Sequence, residues 1–297
     1  MKSLRSLPVI AQFFILLGII LLSWTAATIA TLALARAGLD ITSQKGLLIT
    51  QGISQVLVFL VPSLLFVLFF HRNDRFLRYD SGLRQWQQVG LGLLALLLLT
   101  PAVDALGQWN DSWHFGAPWA SVETMLRNAA AHAEALTGQM LTMPHWSDLV
   151  WVLLIVALLP ALCEELLFRG IIQNAIKRRW HSIHAAVWIT ALLFSLCHGD
   201  LFALLPRLLL GALLGYLFVY SGSLLVNSLV HFVNNAIVVV HYYLFQHGVL
   251  QFSPDDPLDL PLTLTLCCTV AAAYVMWEVY KKNPSDRSPK DEQKNTK

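Results

Sequence analysis

Glu164, Glu165 and Arg169 lie inside an apolar run, Trp151 to Ile172, that is long enough to cross a bilayer. A charged side chain at the bilayer centre costs about 2.5–3.5 kcal/mol even on the most lenient insertion scale. A segment that served only as an anchor would not carry three of them. The default meaning of such residues is a polar site between helices, built for chemistry or for transport. Two further apolar runs carry the same kind of residue: Phe194 and His198 in one, His231, Asn234 and Asn235 in the other. Helical spacing divides the labour among them. Neighbours on a helix point about 100° apart, so Glu164 and Glu165 cannot share a role. Arg169 follows Glu165 by four residues, the separation at which a Glu–Arg pair meets on one face. That assigns Glu165 and Arg169 to a buried ion pair and leaves Glu164 to face a cavity, where a sheltered carboxylate suits general-base work. His231 and Asn235, also four apart, can both donate hydrogen bonds to a developing oxyanion. Phe194 would wall the site and brace the His198 ring. Glu164, His198 and His231 also match the ligand count of a catalytic zinc site with water in the fourth position. There is no HExxH pattern, and a carboxylate can take a proton from water without a metal. A metal-free site is therefore the expectation, and a single divalent ion such as zinc the alternative.

These residues need lipid-embedded helices to position them. Of the 297 residues 56% are hydrophobic and 13% charged, against about 25% charged in an ordinary soluble domain. The expected fold is all-α, a polytopic transmembrane helix bundle. Its spans fall at about 8–35, 47–70, 86–106, 149–173, 183–199, 201–220, 223–246 and 260–280, eight in number. Net charge is +2, which gives no reason to expect a nucleic-acid partner. Of the 20 Lys and Arg residues, Arg36, Lys45 and Arg127 fall on one side, Arg169 and Arg207 within spans, and the remaining fifteen on the other side. The basic side is the cytoplasmic one, which puts both termini in the cytoplasm and the protein in the cell membrane. Counted from that side, Glu164 lies 13 residues from Lys177, about 20 Å deep, and His198 lies at a similar depth. The expected cavity opens toward the cytoplasm. Four segments follow: three spans with an external loop over 1–147, the helices that carry the polar groups over 148–246, a last span within 247–282, and a disordered tail over 283–297. The loop could hold a helix that lies on the membrane surface, capped by Ser121. Cys163, Cys197, Cys267 and Cys268 lack metal-binding spacing and read as small buried side chains. Arg207 is expected to reach toward the headgroups.

Glu164-Glu165…Arg169 (EExxxR), Phe194…His198 (FxxxH) and His231…Asn235 (HxxxN), each on its own span and in this order, resemble the CPBP intramembrane proteases. That family includes the CAAX prenyl endopeptidases of the Rce1 type and bacterial proteins of bacteriocin self-immunity. The likeness covers roughly 148–246. It implies a membrane-embedded endopeptidase in which Glu164 activates water, His198 holds and polarises that water, and His231 with Asn235 forms the oxyanion hole. Glu165, Arg169 and Phe194 would support them. The partner it implies is a membrane peptide or lipid-modified protein, with the bilayer around both. Two other classes use similar residues. A proton-coupled transporter also places Glu, Arg and His in the membrane, but no inverted repeat is evident. A peptide-binding scaffold could keep the same side chains without turnover. The oligomeric state is not legible.

Overall fold

The computed structural model describes residues 7–71 and 83–282. The basic residues Lys2, Arg5, Arg72, Arg75 and Arg78 and the tail 283–297 lie outside the described residues. Among the described residues nine long helices follow in order: α1 Val9–Arg36, α2 Gln44–Phe70, α3 Leu83–Asp111, α4 Ala120–Met140, α5 Trp146–Trp180, α6 Ile183–Leu196, α7 Leu204–Ser221, α8 Leu224–Gln246 and α9 Leu262–Lys281. Seven helical segments of the described residues are long and apolar enough to cross a membrane, and α6 is a shorter apolar helix. The expected span 183–199 is thus cut to 14 residues, about 21 Å of helix. The chain leaves it through Gly199, whose φ of +72° suits a residue without a side chain. His198 therefore sits in the turn after α6 and not within a span.

The burial pattern is inverted relative to a soluble protein. Leu22, Trp24 and Val270 are more than half exposed, whereas Glu165 and Arg169 are fully buried. Apolar side chains face outward, as lipid requires, and the polar ones are enclosed by protein. Cysteine follows the same logic. Cys163 is buried, but Cys197 and Cys267 are exposed and Cys268 partly so, which corrects the expectation of four buried thiols. An apolar surface in lipid gives a thiol no reason to be inside.

The core that fixes the site is polar and joins α5, α7 and α8. Arg169 Nη1 donates to Glu165 Oε1 at 2.6 Å, and Nη2 donates to the Gly211 carbonyl at 3.2 Å. One turn on, Gln173 Nε2 donates to the Gly215 carbonyl at 2.9 Å. The four-residue step on α5 matches the four-residue step on α7, so two side chains read two backbone carbonyls in register. Both glycines are needed for close approach. A Cβ at Gly215 would lie 2.9 Å from Val187 Cγ1 and 3.1 Å from Gln173 Oε1, and one at Gly211 would lie 3.2 Å from the Ala191 Cα. From α8, Asn227 Nδ2 donates to Glu165 Oε2 at 2.9 Å and to the Leu214 carbonyl at 2.7 Å.

Two long helices widen beside the site. In α2 a π-helical stretch covers Gln55–Leu60, and Pro62 follows it. In α5 a π-helical stretch covers Leu153–Leu158, and Pro160 follows it. Proline supplies no N–H and its ring crowds the carbonyl four residues back, which opens the preceding turn. A second π-helical stretch, Leu166–Gln173, carries Arg169. Such turns are frequent at functional sites.

Helix α4 and the turn after α6 pack together at one end of the bundle. Ser121 lies within α4, whose first turn has no side-chain cap. Glu123 anchors it instead, accepting from the Phe115 N–H at 2.9 Å and from Arg127 Nε at 3.2 Å. The Phe115 hydrogen bond, then that of His114, hold the Glu123 carboxyl down at about 2. The Arg127 guanidinium lies 3.9 Å from the Phe202 ring centroid, and Asn110 at the end of α3 donates to the Leu201 carbonyl and accepts from the Leu205 N–H. These contacts set the turn that carries His198.

Replacing Arg169 by Met would leave the Glu165 carboxylate buried beside a neutral side chain. Loss of one partner of a buried pair costs about 3–5 kcal/mol. Arg169→Met is expected to lower the thermal midpoint of the detergent-purified protein sharply and to reduce its yield, whereas Arg127→Met, at the exposed end, should have a much smaller effect.

Candidate active site

Glu164, Phe194, His198, His231 and Asn235 all line one cavity of about 630 Å³ between α2, α5, α6, α7 and α8. Glu165 and Arg169 stay behind its wall, fully buried. The Glu164 side chain is 8% exposed and reaches the cavity, while Glu165 turns away from it. Their divergence is the consequence of adjacent positions on one helix.

Glu165 aims the imidazole of His231. His231 Nδ1 lies 2.9 Å from Glu165 Oε1, so Nδ1–H is the donor to that carboxylate. The other nitrogen, Nε2, is then turned to the cavity, 4.0 Å from Glu164 Oε2. A separation of that size is the kind a bridging water fills. Phe194 holds three groups: its ring centroid is 4.8 Å from that of His198, 6.0 Å from that of His231, and 4.9 Å from the Arg169 guanidinium carbon. The His198 Nδ1 donates back to the Phe194 carbonyl at 2.8 Å, which leaves its Nε2 as an acceptor. Asn234 Nδ2 donates to Asn235 Oδ1 at 3.1 Å. With its oxygen engaged, Asn235 keeps its N–H groups for another acceptor.

Among the described residues, no three His, Cys, Asp or Glu side chains are arranged to hold a metal ion. Glu164, His198 and His231 do not form such a group in this geometry.

Four polar residues of the site escaped the sequence reading. Gln55 Nε2 donates to Glu164 Oε1 at 3.2 Å, and its own Oε1 is buried without a partner. Its sequence signal was weak, one of two amides, with Gln51, in a largely apolar span. Asn227 was more legible, because it lies four residues before His231 and continues the same face. Asn110 acts from a distant helix end and left no pattern. Arg207, expected among headgroups, instead lines the cavity and pairs with Asp200 Oδ2 at 3.2 Å.

Beyond Glu164 the cavity walls continue through Gln51, Thr137, Leu141 and Val239, toward the end of the bundle where α4 lies. The end that carries Lys177–Arg179 is filled by Leu166, Phe218 and Leu224. The depth argument placed Glu164 well within the membrane from the basic side but did not show which side of it was packed.

Comparison with known proteins covers part of the same stretch of chain. Residues 146–237, about a third of the chain, match the family model described as type II CAAX prenyl endopeptidase Rce1-like. No curated protein and no solved structure matches the chain. The matched stretch spans α5 to α8, the helices that contribute Glu164, His198, His231 and Asn235. The resemblance seen in the three motifs is thus a match to the Rce1-like family over these helices, and it supports a CAAX-type intramembrane protease in general.

Proposed function

We propose that the protein is an endopeptidase that cleaves a membrane-associated peptide or protein, lipid-modified or not, with Glu164 as the general base. The observation that carries this reading is that Glu164 is the carboxylate that meets the cavity, with Gln55 and His231 on either side of it. A water between Glu164 and His198 gives its proton to Glu164 as its oxygen attacks the scissile carbonyl. His198 Nε2 orients that water as acceptor. The carbonyl oxygen gains charge and is met by Asn235 and by His231. For His231 to donate through Nε2 while Nδ1–H serves Glu165, the ring must be imidazolium. Glu164, Glu165, Arg169 and that imidazolium together are formally neutral, which keeps the buried cluster from carrying net charge. Glu164 then returns the proton to the leaving amine. Arg207, at the wall of the cavity, is a cation within reach of acidic groups on a bound peptide.

In this reading the sparsely basic end, which carries Arg36, Lys45 and Arg127, is the outer one, and the cavity faces it.

Glu164→Gln keeps size and hydrogen-bonding reach but cannot take a proton. Cleavage of a fluorogenic peptide by the purified protein should fall at least ~100-fold, in the range general-base loss produces, with the thermal midpoint preserved. Turnover equal to wild type would remove Glu164 from the mechanism. Exhaustive chelation should leave the rate unchanged. Loss of activity that zinc restores would replace the metal-free reading with the zinc alternative.

Cys197 lines the cavity and is exposed, which makes it a natural reporter of the opening. In intact cells producing a variant whose only cysteine is Cys197, a membrane-impermeant maleimide should label it from outside. Labelling only after the cytoplasmic face is exposed would reverse the orientation.

A further inference from the structure

A second hollow, of about 750 Å³, lies on the other face of α7. Leu210 and Leu214 of that helix face the catalytic cavity, while Leu209, Leu213 and Tyr216 face this groove. Its remaining walls come from α6, through His184 and Trp188, and from α9, through Ala273, Trp277 and Tyr280. The volume falls in the range of about 300–1,000 Å³ found for small-ligand sites. Trp188 and Trp277 are about half exposed, so the groove is open along the surface that faces lipid.

The groove is graded along its length. Its deep part is apolar, with Leu99, Leu209, Leu213, Ala272 and Met276. Its outer part is aromatic and polar. His184 Nδ1 lies 2.7 Å from the Tyr216 hydroxyl, and the Tyr220 ring lies 5.2 Å from that of Tyr280. These side chains sit at the start of α6 and the ends of α7 and α9. That is the level at which Tyr and Trp meet headgroups. The same end carries the two densest basic stretches of the described chain, Lys177-Arg178-Arg179 before α6 and Lys281-Lys282 at the end of α9, where Lys281 pairs with Glu278. Basic pockets between helices at this level bind anionic headgroups.

We propose that this groove is a binding site for one anionic glycerophospholipid of the surrounding bilayer. An acyl chain lies along the apolar part between α6 and α9, and the phosphate faces His184, Tyr220 and the two basic stretches. A lipid-modified substrate is not the occupant, because α7 stands between this groove and Glu164. The site does not depend on the proteolytic reading.

The test is native mass spectrometry of the full-length protein released from nanodiscs of equal phosphatidylglycerol and phosphatidylcholine. Wild type should retain one phospholipid, predominantly phosphatidylglycerol. Ala273→Trp, at an exposed wall position, should lower retention about tenfold, the loss expected when two methylene groups forfeit their burial. Trp188→Ala, which removes a wall instead of filling the groove, should also lower it. Arg179→Gln combined with Lys282→Gln should keep the bound lipid but remove the preference for phosphatidylglycerol. Wild type without a retained lipid, wild type indifferent to headgroup, or both wall variants retaining lipid as wild type does would each overturn the proposal. Displacement of the lipid by a farnesylated peptide would overturn it as well, and would give the groove to substrate.

Discussion

The buried carboxylate of Glu165 is the constraint on which the site depends. It receives Arg169 at 2.6 Å, His231 at 2.9 Å and Asn227 at 2.9 Å, so one side chain ties α5 to α8. Arg169 then reaches α7 through the Gly211 carbonyl. A charge this deep is tolerable only if it is paired and fully hydrogen-bonded, and the pairing has a geometric result. It fixes the His231 ring with Nε2 toward Glu164. The ion pair contributes orientation more than net stability, since burying both charges offsets much of their attraction.

The arrangement also explains why two adjacent glutamates have different surroundings. Adjacent positions, about 100° apart on the helix, point these two side chains to different surroundings. Glu165 is enclosed by donors, whereas among the described residues Glu164 has Gln55 within hydrogen-bonding distance and His231 at 4.0 Å. The π-helical turn ahead of Pro62 carries Gln55, and the one ahead of Pro160 precedes Glu164 on α5. A carboxylate with spare acceptor capacity in a sheltered pocket is suited to hold water. Local helix geometry thus leads to the proposed chemistry.

Much of the fold was legible because lipid imposes a simple rule. Long apolar runs gave the spans, and intramembrane charges marked the interior of the bundle. The four-residue spacings at Glu165–Arg169 and His231–Asn235 gave shared faces, because helical periodicity is local. What was not legible depends on tertiary packing. The span at 183–199 ends early because Gly199 and Asp200 turn the chain, so His198 owes its position to a turn clamped by Asn110 and Arg127. Gln55 meets Glu164 across 109 residues of sequence, and no spacing announces such a contact. The direction of the cavity depended on where Leu166, Phe218 and Leu224 fill space, and depth alone could not give that.

The most direct measurement is an electron cryo-microscopy structure of the wild-type protein with a peptide whose scissile amide is replaced by a hydroxyethylene group. The account predicts the hydroxyl within hydrogen-bonding reach of Glu164, about 2.6–3.2 Å, with Asn235 on its other side and the Glu165–His231 contact intact. An inhibitor seated with its hydroxyl remote from Glu164, or a His231 ring detached from Glu165 in that complex, would contradict it.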